Sequence, residues 1–444
     1  MLSNQNMLAP LVPYMVRTLS TDLSPDQLES EIGGRVGRIT ASFYLPLLVM
    51  NVVWGSLSDR IGRKPILLMG LFVCGLTTFI LGINTSSFAV ALLCRFMAGV
   101  FGGNSAVAKG ALGEINKTEQ GRSWAYAVYS QLYAVFGIVG PLIGGFLVSV
   151  SRESGASEYP YLAACGVGAL LSVISLVVAF TCFEEPQTDG PPSSAPNIKP
   201  VEADSGIKVP DIDDSELKVE DDDDRDAASA DQFTMLSWRV LLPILLYVLI
   251  AFANMYWGTI LPLLFSSKQE MGGLAFSPLD TSFAISVRAI SKLFFSSFVS
   301  RGIVSTLGAA NAYSLGMFMV IPAASILGVL SSLEGNTLWT GVTVSMMLFG
   351  FVESLVYLCV MMMISSSVPP SYLGATFGLS STCAAVMRTL APPLSGYGWE
   401  LASVGGYDPW VAFIALQVVA VVSMVCSWVG FSRPSTSRAK PKRD

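Results

Sequence analysis

The sequence predicts an all-α membrane protein from its low charge, its long charge-free runs and the pattern within them. Of 444 residues, 52% are hydrophobic and 13% are charged, about half the charged fraction of soluble domains. A helix needs about 20 apolar residues to cross a bilayer. The charge-free runs of that length are 65–94, 123–151, 159–183, 240–267, 302–333 and 409–432. They are continuous and lack the alternation of transmembrane β-strands, so we expect helices.

Charges, glycines and prolines divide the chain into eleven predicted full-length helices. These cover about 33–57, 65–84, 87–110, 122–150, 160–183, 239–265, 278–300, 305–330, 337–365, 369–397 and 408–431. Before them, the apolar run Met7–Val16 gives only about 15 Å of helix at 1.5 Å per residue. We interpret it as part of a truncated first helix, the twelfth in total. A signal peptide is the alternative, which two prolines and the absence of a preceding basic segment disfavour.

A polar interval, 184–236, separates two groups of predicted helices. It carries about sixteen acidic and four basic residues, including Asp221–Asp224, which predicts a disordered linker. Cation or partner binding by this acidic run is the alternative. Its charge of about −12, against −6 for the chain, leaves about +6 elsewhere. We therefore predict a bundle of helices 1–6 over 1–183, a second bundle of helices 7–12 over 237–431, and a basic tail over 432–444.

The distribution of basic residues predicts the orientation of the chain in the membrane. Lys and Arg concentrate in cytoplasmic loops, and here they cluster between alternate helices and in the tail: Arg60, Arg63, Lys64, Lys117, Arg122, Arg301, Arg433, Arg438, Lys440, Lys442 and Arg443. We expect both termini and the central linker to be cytoplasmic. Which membrane holds the protein is left open.

A weak internal repeat relates the two halves. NMLAPLVP at 6–13 is similar to NMYWGTILP at 254–262, and GPLIGG at 140–145 is similar to APPLSG at 391–396. Each pair holds equivalent places in a group of six helices. Two related bundles joined by a linker can expose a central site alternately to each side of a membrane.

Composition also restricts the chemistry. The chain has no histidine, which excludes histidine metal ligands and a histidine general base, so proton chemistry must use carboxylates. The seven cysteines all lie in predicted helices without a C-x-x-C pair, and we interpret them as small core residues rather than disulfides or metal ligands. We expect no metal site, no cofactor, no nucleic-acid partner and no enzymatic activity.

The segment GSLSDRIGRKP, 55–65, resembles the loop signature between the second and third helices of the major facilitator superfamily. Gly55 suits close helix approach, Gly62 a left-handed turn, and Asp59 pairing with a cation or helix N-terminus. The resemblance implies a cytoplasmic gate, which GEINKTEQGRSWA extends through a second carboxylate and arginine. The predicted gate residues are Gly55, Asp59, Arg60, Gly62, Arg63, Lys64, Glu114 and Arg122. The alternative is that these basic residues only set the orientation of the chain in the membrane.

Charged residues inside predicted helices are candidates for a central cavity, because a buried charge is costly without a function or a partner. RFMAGVFGGN, beginning at Arg95, resembles the R-x-x-x-G signature of the family's fourth helix, and the resemblance implies a link to proton transfer. The second half contributes Arg288, Lys292, Glu353 and Arg388. A carboxylate such as Glu353 can load and release protons when its environment changes. A static ion pair is the alternative for Glu353, and an ion pair or snorkelling for Arg95.

GIVGPLIGG, 137–145, resembles the fifth-helix signature that the family associates with antiporters. Gly140, Pro141, Gly144 and Gly145 match it, while the upstream glycine is one place off. Small residues beside a proline suit two helices that pack closely and move against each other. The GN…GEI and GPLIGG segments are similar to the drug:proton antiporter branch, including zinc-induced-facilitator-like members.

Together these resemblances imply the major facilitator fold, two six-helix bundles with pseudo-twofold symmetry, and a function in transport. We expect a multi-pass membrane protein that exports a small organic solute in exchange for protons by alternating access. Two alternatives stay open: a transporter-like receptor or scaffold that acts through its linker, and a proton-coupled uptake symporter.

Overall fold

A computed structural model describes residues 2–102, 107–108, 111–112, 115, 119–154, 158–185, 237–368, 373–405 and 407–431. The described helices are α1 (Leu2–Leu8), α2 (Val12–Leu19), α3 (Pro25–Ile61), α4 (Arg63–Ile83), α5 (Phe88–Val100), α6 (Glu119–Glu153), α7 (Leu162–Cys182), α8 (Trp238–Ser266), α9 (Pro278–Phe298), α10 (Ser300–Leu307), α11 (Ala309–Val329), α12 (Gly335–Ser367), α13 (Leu373–Val404) and α14 (Ile414–Phe431). These ranges contain no β-strand. The predicted all-α class is confirmed.

The first helix is longer than its apolar run. A short 3₁₀ turn, Ala9–Leu11, joins α1 to α2, so helical structure extends from Leu2 to Leu19, about 27 Å at 1.5 Å per residue. The added turns are polar but face the interior, where Asn4 Nδ2 donates to Thr78 Oγ1 at 3.2 Å and Ser172 Oγ at 3.1 Å. Pro10, which is buried, lies in the 3₁₀ turn that interrupts the helix.

Seven helices of the described part are long and apolar enough to cross a membrane, and the α9–α10 pair, bent by 52°, gives an eighth. The predicted crossings at α3, α5 and α13 do not meet this length-and-composition test. For α5 the test covers only a short helix, because the continuously described backbone around it ends at residue 102. By contrast, α3 and α13 are long, but each places polar and small residues against the other half of the molecule. Their composition therefore reflects contact with protein as well as lipid.

Capping residues set where several helices begin. Ser24 and Gln27 form a reciprocal capping box with Pro25 at the first position of α3, and Ser277 and Asp280 do the same for α9. The chain turns sharply between α3 and α4 at Gly62, whose φ is 97°. Only glycine adopts this conformation readily, in agreement with the predicted turn.

Chain direction gives the bundle two ends. We call the end with the α2–α3 and α8–α9 connections the Arg17 end, and the end with the α3–α4 connection the Gly62 end. Towards the Arg17 end, a Cβ atom on either Gly33 or Gly396 would collide with the backbone of the other. Gly145 of α6 packs equally closely on Pro278 and Ser282 of α9. The α3–α13 and α6–α9 contacts thus join the two halves at the segments related by the internal repeat.

Candidate functional site

The predicted intramembrane charges of the second half meet in the interior of the bundle. Glu353 of α12 accepts hydrogen bonds from Arg288 Nη1 at 3.0 Å and Lys292 Nζ at 2.5 Å, both on α9. Its side chain is 11% exposed. Asn254 of α8 approaches the same carboxylate, although its Nδ2 makes no hydrogen bond of acceptable geometry. The ion pair named above as the alternative for Glu353 is therefore present, with Arg288 and Lys292 as its partners.

A group of tyrosines extends this ion pair towards Arg388 and the first half. Arg388 Nη2 of α13 donates to the Tyr247 hydroxyl of α8 at 3.1 Å, and Tyr357 of α12 lies close to the same guanidinium. Tyr133 of α6 lies close enough to Glu353, Arg288 and Arg388 to interact electrostatically. Although it lies among these interior groups, Tyr133 is 42% exposed, so the space they surround is open to solvent.

Arg95 occupies the first half of the same region. Its Nη1 donates to Gln5 Oε1 of α1 at 3.0 Å, and its guanidinium lies over the Phe43 ring at 5.1 Å from the centroid. It is 6% exposed and borders a polar cavity with Asn4, Gln5, Thr77 and Thr78. Tyr44 of α3 interacts electrostatically with both Arg95 and Arg388 and so links the two halves. No described carboxylate forms a salt bridge with Arg95.

An interlock at the Arg17 end was not anticipated from the sequence. Arg17 binds both Glu29 carboxylate oxygens, at 3.0 and 3.2 Å, and also donates to the Ser266 and Ser267 hydroxyls of the second half. Close by, the Tyr14 hydroxyl donates to the Phe276 carbonyl at 2.6 Å. The sequence did contain a signal for this interlock. Arg17 directly follows the apolar run Met7–Val16, and Glu29 lies twelve residues later.

Two further contacts strengthen the Arg17 end. Arg35 binds Asp22 with two hydrogen bonds of 2.9 and 2.6 Å. These bonds hold the pKa of the Asp22 carboxyl below its usual range. The backbone N–H of Gly34 donates to Glu400 Oε1 of the second half at 2.6 Å. The hydrogen bonds that Arg17, Tyr14 and Gly34 make to the second half lie at this end, and the one from Ser286 to the Ile138 carbonyl lies nearer the middle of the bundle.

At the Gly62 end, Glu185 caps the predicted loop. Its carboxylate accepts the backbone N–H groups of Arg63 and of Lys64, the latter at 2.8 Å, and these are the first two residues of α4. A carboxylate is favourable at a helix N-terminus. Arg63 also donates to Ser58 Oγ at 2.7 Å, and Lys64 lies over the Phe180 ring. Arg60 is exposed in the last turn of α3.

In this conformation no described atom lies within 4 Å of the position that a Cβ on Gly55 would occupy. The close-packing role expected for Gly55 stays a prediction. Glu114 lies outside the described residues, as do the side chains of Asp59 and Arg122. Their membership of a gate stays a prediction.

The small-residue face of α6 packs closely, as the sequence suggested. A Cβ on Gly144 would lie 2.9 Å from the Met7 carbonyl oxygen of α1, and Gly145 meets α9. Gly140 is buried, and Pro141 lies inside α6. This face therefore contacts one helix of its own half and one helix of the other half.

The arrangement of helices agrees with a comparison against protein families. Residues 1–392 match the model of the Major Facilitator Superfamily. The chain belongs to this superfamily. It is therefore a multi-pass integral membrane protein of a transporter family, and this family is not one of enzymes.

Individual relatives support the assignment. The chain is 23% identical over 438 residues to the protein ZINC INDUCED FACILITATOR 1 of Arabidopsis thaliana, covering 96% of this chain and 87% of that one. It is 27% identical over 182 residues to the class B tetracycline resistance protein of Escherichia coli, covering 40% of each. The crystal structure of the human organic anion transporter MFSD10 superposes with a TM-score of 0.60 at 17% identity, covering 96% of each chain. That last likeness shows the fold alone.

Proposed function

We propose that this superfamily member is a secondary active transporter that exports a small organic solute in exchange for protons by alternating access. One observation carries the proposal. The ionisable residues predicted from the second-half sequence lie together in the interior, where Glu353 joins Arg288 and Lys292. Intramembrane charges are retained where they serve a substrate or proton pathway.

Competition for the Glu353 carboxylate provides a coupling mechanism. In the unprotonated state, the cations of α9 bind the carboxylate of α12 and hold these two helices together. A proton on Glu353 removes the negative charge, so Arg288 and Lys292 lose their partner and become free to bind other groups. Exchange follows if the solute binds only while Glu353 is unprotonated, whereas symport follows if the freed Arg288 and Lys292 take part in binding it. Arg95 and Arg388 are the other proposed cavity residues.

The contacts between the halves support alternating access. Arg17, Tyr14 and Glu400 connect the halves at the Arg17 end. By the positive-inside rule, we place the Gly62 end, both termini and the linker in the cytoplasm. The conformation is then closed to the outside. Asp59 and its basic neighbours would form the gate that closes the Gly62 end when the Arg17 contacts separate.

The direction of exchange rests on the α6 packing motif and on similarity to a tetracycline resistance protein. Uptake by symport is the alternative within transporters, and the sign of the coupled flux separates the two. A receptor or scaffold role stays the alternative outside transport. Helical structure over Leu2–Leu19, with a 3₁₀ turn at Ala9–Leu11, is longer than the apolar run alone and favours transport over it.

Coupled flux from proteoliposomes tests the proposal. Vesicles containing the full chain are loaded with a mixture of small organic acids, amines and neutral solutes, and external acid is applied. We expect at least one solute to leave faster than from Glu353→Gln vesicles, with matching internal acidification. Equal loss from wild-type, Glu353→Gln and protein-free vesicles would contradict transport. Proton-driven accumulation would favour symport.

A further inference from the structure

We propose that the solute of this cavity is a small organic anion and that Arg388 binds its carboxylate. The inference rests on the proposed transport function, because it names the substrate class of the same site. It is argued from the charges and hydrogen-bonding groups of this chain.

The charges of the described interior do not balance. The described interior contains four cations, Arg95, Arg288, Lys292 and Arg388, but one carboxylate, Glu353. Charges in a region of low dielectric are costly unless they are compensated. An anionic solute would supply the compensation, whereas a cationic solute would add to the repulsion.

Arg388 is the cation best placed for a ligand. Its described hydrogen-bond partner is the hydroxyl of Tyr247, and the Tyr357 hydroxyl lies nearby. Neither carries a negative charge. A guanidinium has five N–H donors in a fork that matches a carboxylate, so these contacts leave donors available. The side chain is only half-buried, and Tyr44 of the opposite half lies within electrostatic range. A carboxylate at Arg388 would therefore sit between the two halves.

By contrast, Arg288 and Lys292 already share the Glu353 carboxylate. They are available to an anion only after that carboxylate is neutralised. Arg388 does not depend on this step, so it is the first binding point for an anion at neutral pH. Binding of the anion at Arg388 while Glu353 stays unprotonated is the order that exchange requires.

A matched series of five-carbon probes tests the sign of the charge. Purified full-length protein is unfolded thermally with glutarate, glutaramide or 1,5-diaminopentane at equal ionic strength set with potassium chloride. Citrate and benzoate widen the carboxylate set. We expect saturable protection by at least one carboxylate and none by the neutral amide or the diamine. Protection by the diamine alone, or by no carboxylate, would overturn the inference.

Three variants locate the site. Arg388→Gln is expected to weaken the apparent affinity for the protecting carboxylate at least tenfold, and Arg388→Lys to retain part of it. Arg301→Gln is the matched control, since Arg301 is exposed on α10 at the Gly62 end, and should bind as the wild type does. Wild-type affinity in Arg388→Gln would overturn the assignment of the residue.

The same probes separate this inference from the proposed function. Carboxylate protection without coupled flux would contradict transport and leave the anion site standing. Proton-coupled flux of amines but not of acids would support transport and contradict the anion site.

Discussion

Glu353 of α12 and Arg288 of α9 form a 3.0 Å ion pair inside the bundle, and Lys292, one turn further along α9, binds the second carboxylate oxygen at 2.5 Å. The three side chains tie these two helices together. One carboxylate with two cations carries a net charge of about +1, so removing Glu353 leaves two cations without a partner, whereas removing one cation leaves a balanced pair.

Glu353→Gln is therefore expected to lower the free energy of unfolding by about 1–3 kcal/mol, less than a fully buried pair because water reaches Lys292. Denaturant unfolding in micelles measures this change. The double variant Glu353→Gln/Lys292→Met should recover part of the loss, because it removes one of the unpaired cations. Glu334→Gln, an exposed carboxylate just before α12, is the control. Additive losses in the double variant would contradict the pairing.

Arg17→Gln should loosen the Arg17 end. It removes charge-assisted hydrogen bonds to Glu29 and to the second half, each worth about 1.5–3 kcal/mol. Hydrogen–deuterium exchange over residues 264–281 should rise about tenfold or more. Arg38→Gln is the matched control, because Arg38 is exposed and its described contacts are with Gly34 and Phe88 of its own half. Equal exchange in wild type and Arg17→Gln would argue against the interlock.

Gly396→Ala should destabilise the α3–α13 contact, since its Cβ would meet the backbone of Gly33. Overpacking of this kind costs about 1–3 kcal/mol and should lower the melting temperature. Gly378→Ala on the same helix is the control. No described atom lies within 4 Å of its added Cβ, and alanine is the better helix former. A loss of equal size in both variants would show that backbone effects, not contact between the halves, cause it.

Asp59→Ala should weaken solute–proton exchange without preventing membrane insertion. The reason is the proposed role of Asp59 in closing the Gly62 end, which insertion does not need. Flux per inserted molecule in proteoliposomes measures the effect, with Arg301→Gln as a control at the same end. Full exchange by Asp59→Ala would remove it from the gate.

The features that could be predicted from the sequence are those that depend on a local pattern of residues. The helices, the glycine turn at Gly62, and the interior charges Arg95, Glu353 and Arg388 all follow from composition, because the bilayer makes each charge within an apolar run conspicuous. Gly145 was found through its motif, and its contact with α9 explains why that motif needs a residue without a side chain.

Contacts between distant segments were not predictable in the same way. Arg17 reaches Ser266 across 249 residues, and Glu185 caps α4 from 121 residues away. The packing role of Gly55 has no described neighbour in this conformation and stays a prediction. The polar face of α1 was also missed, because Asn4 finds its partners only after α4 and α7 have assembled around it.

Reciprocal motion of the two ends tests the central claim most directly, and it requires no knowledge of the solute. Spin labels would be placed on a cysteine-free background at Glu158 and Tyr407 of the Arg17 end, and in a second protein at Ile61 and Leu307 of the Gly62 end; all four residues are exposed. Distances are measured by pulsed electron resonance across a range of pH. We predict that conditions lengthening the first distance shorten the second, with a shifted balance in Glu353→Gln. A single distance in each protein, unchanged by pH and by Glu353→Gln, would contradict alternating access.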